Sequence, residues 1–131
     1  MSLQKTVRLN QLYDFYGELL TERQRKLFER YYHDDLSLAE IGEEFDISRQ
    51  AVYDGLRRSE QALEAFERSL QLLARHQRQR RLLERLEAEV ERLAQHVDPR
   101  LLEPLTDLVK AWREELEFQR DVSGEETERG R

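Results

Sequence analysis

Ser37-Leu-Ala-Glu-Ile-Gly-Glu-Glu-Phe-Asp-Ile-Ser-Arg-Gln-Ala-Val-Tyr-Asp-Gly-Leu-Arg-Arg58 is the stretch that decides the fold. Ser37 can cap a helix by accepting from the backbone three residues on, where Glu40 reaches back to complete a capping box. Gly42 removes the side chain mid-helix, where a second helix must cross closely. Asp46 falls at the turn, and Asp is among the few non-glycine residues that tolerate a left-handed backbone. Ser48 then caps the next helix. Ile41, Phe45, Ile47, Val52 and Leu56 supply apolar contacts between the two. A capped helix, a tight turn and a second capped helix together predict a helix-turn-helix.

Working back from the motif, Leu9, Leu12, Tyr13, Tyr16 and Leu20 make one stripe of a helix over 9–20. Thr21 and Gln24 form a second capping box, opening a helix that carries Leu27, Phe28, Tyr31 and Tyr32. These two helices and the motif predict a four-helix head over residues 1–68, with most of its aromatics in the core.

Working forward, Leu63, Phe66, Leu70 and Leu73 follow a 3-4-3 spacing that marks a helix-packing seam. Arg75-His-Gln-Arg-Gln-Arg-Arg81 has no apolar residue, and the stripe resumes out of phase at Leu83, Leu86, Val90, Leu93 and Val97. One long helix with a solvated stretch and two helices with a break both fit this pattern. Asp98-Pro99 is a restart, with Asp as cap and Pro at the first helical position. Pro104 then sets the expected start of the regular helix. Residues 81–97 and 99–118 read as an antiparallel hairpin, the core of an arm over 69–118. The stripe Leu102, Leu105, Val109, Trp112 and Leu116 is the expected seam of a homodimer. The charged tail over 119–131 is expected to be disordered.

The composition agrees with an all-α chain and restricts its chemistry. Of 131 residues, 38% are hydrophobic and 38% charged, with 5 Gly, 2 Pro and no Cys. The absence of cysteine removes disulfides and thiolate metal sites. No apolar run approaches the ~18 residues of a membrane span, and the N-terminus lacks a signal-peptide core, so a cytoplasmic protein is expected without membrane insertion. His33, His76 and His96 are scattered, and there is no phosphate-binding glycine loop and no nucleophile elbow. We therefore expect no metal, no cofactor and no enzymatic activity.

The candidate binding face is the start of the second motif helix. Ser48 would cap it and touch a phosphate or partner, and Arg49 and Gln50 would lead any base reading. Tyr53, Asp54, Arg57 and Arg58 continue the exposed face. Arg75, Arg78, Arg80 and Arg81 form a secondary basic patch suited to RNA or another phosphate backbone. Against this stands a net charge of −6. Proteins held mainly by phosphate contacts are usually basic on at least one face, so any such face here must be local.

The blocks Leu12-Tyr-Asp-Phe-Tyr16, Asp34-Asp-Leu-Ser-Leu38 and Ser48-Arg-Gln-Ala-Val-Tyr-Asp54 strongly resemble the YlxM family of small bacterial helix-turn-helix proteins. The resemblance covers about residues 3–118 and is most specific from Asn10 to Arg58. The head is also similar to the promoter-reading fourth region of sigma factors. Membership of that family implies a regulatory or accessory role in the signal recognition particle pathway, with the particle's GTPase or its RNA as partner. The alternative is a sequence-specific DNA-binding regulator using the helix that starts at Ser48. Past Arg75 the arginine-rich stretch and acidic tail depart from the family pattern.

Overall fold

The computed structural model describes residues 2–129, with side chains through Glu117. Among the described residues there are six α-helices and no strand: α1 (Leu3–Tyr16), α2 (Glu22–Tyr32), α3 (Leu38–Phe45), α4 (Arg49–Leu70), α5 (Leu72–Ala94) and α6 (Pro99–Arg129). They form two compact units, Met1–Gln71 and Leu72–Arg131. The division falls three residues beyond the expected boundary at 68. Its cause is local: Gln71 adopts a left-handed backbone (φ 54°, ψ 33°) that ends α4. Residues 60–97 are thus two helices. The break lies at Gln71, and the arginine-rich stretch is continuous helix inside α5.

In the first unit, α4 is the shared partner of α1, α2 and α3. α1 begins six residues before its apolar stripe because the Ser2 side chain accepts from the Lys5 backbone at 3.1 Å and caps it. A short 3-10 turn over Gly17–Leu19 ends it, so Leu20 is buried but lies off the helix. Both expected capping boxes form, Thr21 with Gln24 and Ser37 with Glu40. Asp46 is left-handed (φ 55°, ψ 49°), and the Ile47 N–H donates back to the Gly42 carbonyl at 2.9 Å. That closes α3 in the manner of a glycine-type helix stop. Leu27, Ile41, Val52 and Leu56 form the core of the motif.

Polar contacts join the helices behind that core. The Tyr16 phenol donates to the Glu67 carboxylate at 2.6 Å, and those of Tyr13 and Tyr32 donate to Glu29 and Glu60. Burial pushes the Tyr32 phenol up, with the Glu60 hydrogen bond acting in the same direction, so it stays a donor. Arg8 grips Glu64 through two bonds of 2.8 and 2.9 Å, tying α1 to α4.

The second unit is the expected hairpin of α5 and α6. Leu83, Val90, Val109 and Leu116 make its core, a seven-residue step on each helix. Arg113 on α6 pairs with Glu87 on α5. Asp98 caps α6, accepting from the Arg100 backbone at 3.0 Å. Contrary to the expected late start, α6 is helical from Pro99 and runs through Pro104. The missing N–H of Pro104 forfeits one bond, to the carbonyl of exposed Arg100, where water can replace it. The tail over 119–131 lies outside the residues whose side chains the structure describes.

Two glycines test the close packing of α4. A Cβ on Gly42 would lie 2.7 Å from the Ile47 backbone oxygen, which cannot yield, whereas one on Gly55 would meet only the end of the Leu27 side chain. Overpacking typically costs about 1–3 kcal/mol, while Gly to Ala returns up to about 1 kcal/mol of helix propensity. Gly42→Ala should therefore destabilise by about 1–2 kcal/mol in urea titrations, and Gly55→Ala by less than about 0.5 kcal/mol. Equal effects would contradict the difference in packing.

The Arg8 hydrogen bond holds the Glu64 carboxyl below its ordinary value of 4.5 against an opposing effect of burial. A carboxylate depressed in the folded state stabilises above its unfolded pKa, and that contribution fades as pH falls through the folded one. Arg8→Met should thus lower stability at neutral pH, with the gap from wild type closing on acidification below 4.5. Urea titrations across pH measure this; a gap that persists unchanged at about pH 3 would mean Arg8 acts through packing of its stem.

Candidate binding face of the helix-turn-helix

The Ser48 hydroxyl accepts from the Ala51 backbone at 3.0 Å and opens α4 as expected. Val52, Leu56, Ser59 and Leu63 turn inward from that helix. The opposite side carries Arg49, Gln50, Tyr53, Asp54, Arg57 and Arg58, all exposed. Their spacing sorts them into two i, i+4 ladders, Arg49–Tyr53–Arg57 and Gln50–Asp54–Arg58. Rungs of both are bonded. The Gln50 amide donates to Asp54 at 3.1 Å, and the Arg57 guanidinium donates to the Tyr53 hydroxyl at 3.3 Å. The Arg57 guanidinium carbon also sits 6.0 Å from the Tyr53 ring centroid, within cation–π range.

These pairings change what the face can do. Gln50, the residue suited to adenine, is held by a carboxylate that would itself be repelled by phosphate. Glu40, Glu43 and Asp46 are exposed on α3 and the turn beside it. The face is therefore mixed in charge, with flat aromatic and guanidinium groups that suit a protein or structured RNA surface.

A groove of about 400 Å³ adjoins this face. Leu27, Ile47, Ala51 and Gly55 line it together with Arg23, Asp54 and Arg58. Arg23, from the first turn of α2, lies 5.7 Å over the Phe45 ring. Sequence reasoning had no local signal for Arg23, because the α2–α4 crossing alone brings it to the groove.

The secondary basic patch lies within the continuous helix α5. Arg75, Arg78, Arg80 and Arg81 are exposed, and none makes an ion pair among the described residues. Arg85 extends the run on the same helix. The proposed dimer stripe divides. Val109 and Leu116 are buried within the chain's own hairpin, Leu102 is half-buried, and Leu105 and Trp112 remain 37% and 42% exposed. Among the described residues no cluster of three metal-binding side chains exists, and no helix is long and apolar enough to cross a membrane.

The Ser48 cap sets the start of the face. Ser48→Ala should cost about 1 kcal/mol of unfolding free energy, while Ser48→Asp should retain most of the stability, as urea titration would register. A neutral alanine variant would show that the cap bond is replaced by solvent.

Residues 3–100 match the model of the family described as "Putative helix-turn-helix protein, YlxM / p13 like". The match ends two residues into α6, so most of that helix lies beyond it. A UPF0122 protein of Halalkalibacterium halodurans is 52% identical over 92 residues, which is 70% of this chain and 84% of the relative. One of Geobacillus kaustophilus is 51% identical over 90 residues, 69% of this chain and 82% of the relative. One of Bacillus cereus is 55% identical over 84 residues, 64% of this chain and 76% of the relative. With the family's helix-turn-helix present in the head and the match extending over most of its length, the chain belongs to the YlxM/p13-like family.

Proposed function

We propose that this chain is a non-enzymatic accessory protein of the signal recognition particle pathway. Its α4 face binds the particle's GTPase or its RNA. The observation that carries the binding mode is the mixed charge of that face, where Asp54 stands among three arginines and holds Gln50. Duplex DNA presents a uniform array of phosphates, and a reading helix with an acid at its middle and acids beside it opposes that array. A protein surface, or an RNA fold offering bases to stack on Tyr53 and arginine planes, accommodates it. The pathway itself comes from the family resemblance. The unpaired arginines of α5 suit an RNA backbone and add to the same reading.

The second reading, a DNA-binding regulator, is favoured by one feature. Arg49 and Gln50 are both exposed on the first turn after the Ser48 cap, the position from which such helices reach base edges.

Fluorescence anisotropy with the purified GTPase, its RNA and duplex DNA from the same organism separates the two. The accessory reading expects saturable binding of the GTPase or the RNA at near-physiological salt, with duplex DNA bound only weakly. Arg49→Ala with Gln50→Ala should then weaken the partner complex. Failure of both pathway components to bind, with retention of a defined duplex that this double variant no longer holds, would establish the DNA regulator instead. Each lost bidentate base contact is worth about 1–3 kcal/mol, so the loss would be at least about tenfold.

A further inference from the structure

α6 carries two apolar stripes, and the hairpin uses only one. The inner stripe includes Val109 and Leu116, buried to 7% and 5% exposure against α5. The outer stripe is Leu101, Leu105, Leu108 and Trp112, exposed to 72%, 37%, 69% and 42%. Its 4-3-4 spacing is that of alternating coiled-coil positions, which on a lone helix makes a continuous ridge. On the side away from the inner stripe the ridge is flanked by Pro104 and Ala111, short side chains that let another helix approach closely.

The geometry points to a second copy of this chain as the occupant, packed antiparallel along α6. A 4-3-4 spacing reads the same in both directions, so a two-fold axis between Leu105 and Leu108 matches the layers of both copies. Leu105 then meets Leu108 of the second copy, and Leu101 meets its Trp112. Two-fold pairing of one patch with itself is the common route to a closed dimer. Charge selects the direction. Arg100 and Glu115 stand exposed at opposite ends of the ridge, and neither makes an ion pair among the described residues. Antiparallel packing sets each Arg100 beside Glu115 of the second copy, whereas parallel packing sets glutamate beside glutamate. Four side chains from each copy bury on the order of 1,000 Å², the lower limit for a specific pair. The dimer interface thus shifts from the stripe through Val109 and Leu116, which the chain's own fold occupies, to the neighbouring ridge.

Sedimentation velocity of the full chain, from about 1 to 200 µM, tests this. The expected result is a concentration-dependent dimer that Leu105→Lys with Leu108→Lys converts to monomer. Circular dichroism should stay unchanged, because both side chains lie outside the hairpin core. Glu115→Arg should weaken the dimer by about fivefold to tenfold, and adding Arg100→Glu should restore it. Orientation is read by single cysteines, since the chain has none of its own. Leu101→Cys and Trp112→Cys should cross-link with each other on oxidation and not with themselves. A monomer at every concentration, a dimer indifferent to the paired lysines, or a Leu101→Cys self-cross-link would each overturn the proposal.

Discussion

Three phenol-to-carboxylate hydrogen bonds hold the head in register, and the placement of the binding face depends on them. Tyr13 reaches Glu29, Tyr16 reaches Glu67, and Tyr32 reaches Glu60, joining α1 to α2, α1 to α4 and α2 to α4. Glu29 and Glu67 are only 7% and 8% exposed. A carboxylate at that depth must be met by donors or it destabilises the fold. A phenol supplies a donor without bringing in a second charge, together with an aromatic ring that packs. Apolar contacts among the same helices are non-directional and would permit some sliding. The hydrogen bonds do not, since a displaced helix would break a directional bond to a buried acid. The C-terminal half of α4 is gripped at Glu60, Glu64 and Glu67, by Tyr32, Arg8 and Tyr16. The exposed side of the first turns of α4, whose inner side packs Val52 into the motif core, is therefore presented at a defined position.

The parts of this fold that were legible in the sequence are those written in neighbouring residues. Both capping boxes, the Ser48 and Asp98 caps, the left-handed Asp46 and the close approach at Gly42 are each set within a few positions. The two ladders on α4 follow from spacing alone. What was hidden depends on distant partners or on weak local signals. Tyr16 and Glu67 are 51 residues apart and Arg8 and Glu64 are 56 apart, with nothing nearby to announce either pair. The left-handed Gln71 and Asp35 carry no glycine or asparagine to mark them. The split of the expected α6 stripe into buried Val109 and Leu116 and exposed Leu105 and Trp112 was hidden for a related reason. Two apolar stripes lie side by side on that helix, and only the position of α5 shows which one is covered. The bonds that tie Gln50 to Asp54 and Arg57 to Tyr53 were allowed by their spacing, yet rotamer choice decides whether they form.

Charge organises the surface more sharply than the net value suggests. The chain carries 28 acids against 22 bases, but exposed arginines cluster on the α4 face and along α5. On α4 the acid Asp54 interrupts them, which turns a potential phosphate track into a surface with directional preferences. On α5 the run from Arg75 to Arg81 contains no acid. The first feature offers selective contacts and the second sequence-blind attraction, two kinds of contact familiar from nucleic-acid recognition.

The aromatic residues are divided in the same uneven way. All five tyrosines belong to the first unit, while the single tryptophan, Trp112, stands half-exposed on α6 in the second. Each unit thus contains its own intrinsic chromophore. Excitation at the red edge of the ultraviolet band selects the arm through its indole, and tyrosine signals report the head. Ligand docking, unfolding or self-association can then be assigned to one unit or the other in the unlabelled protein. The chain is already equipped as a two-channel spectroscopic reporter.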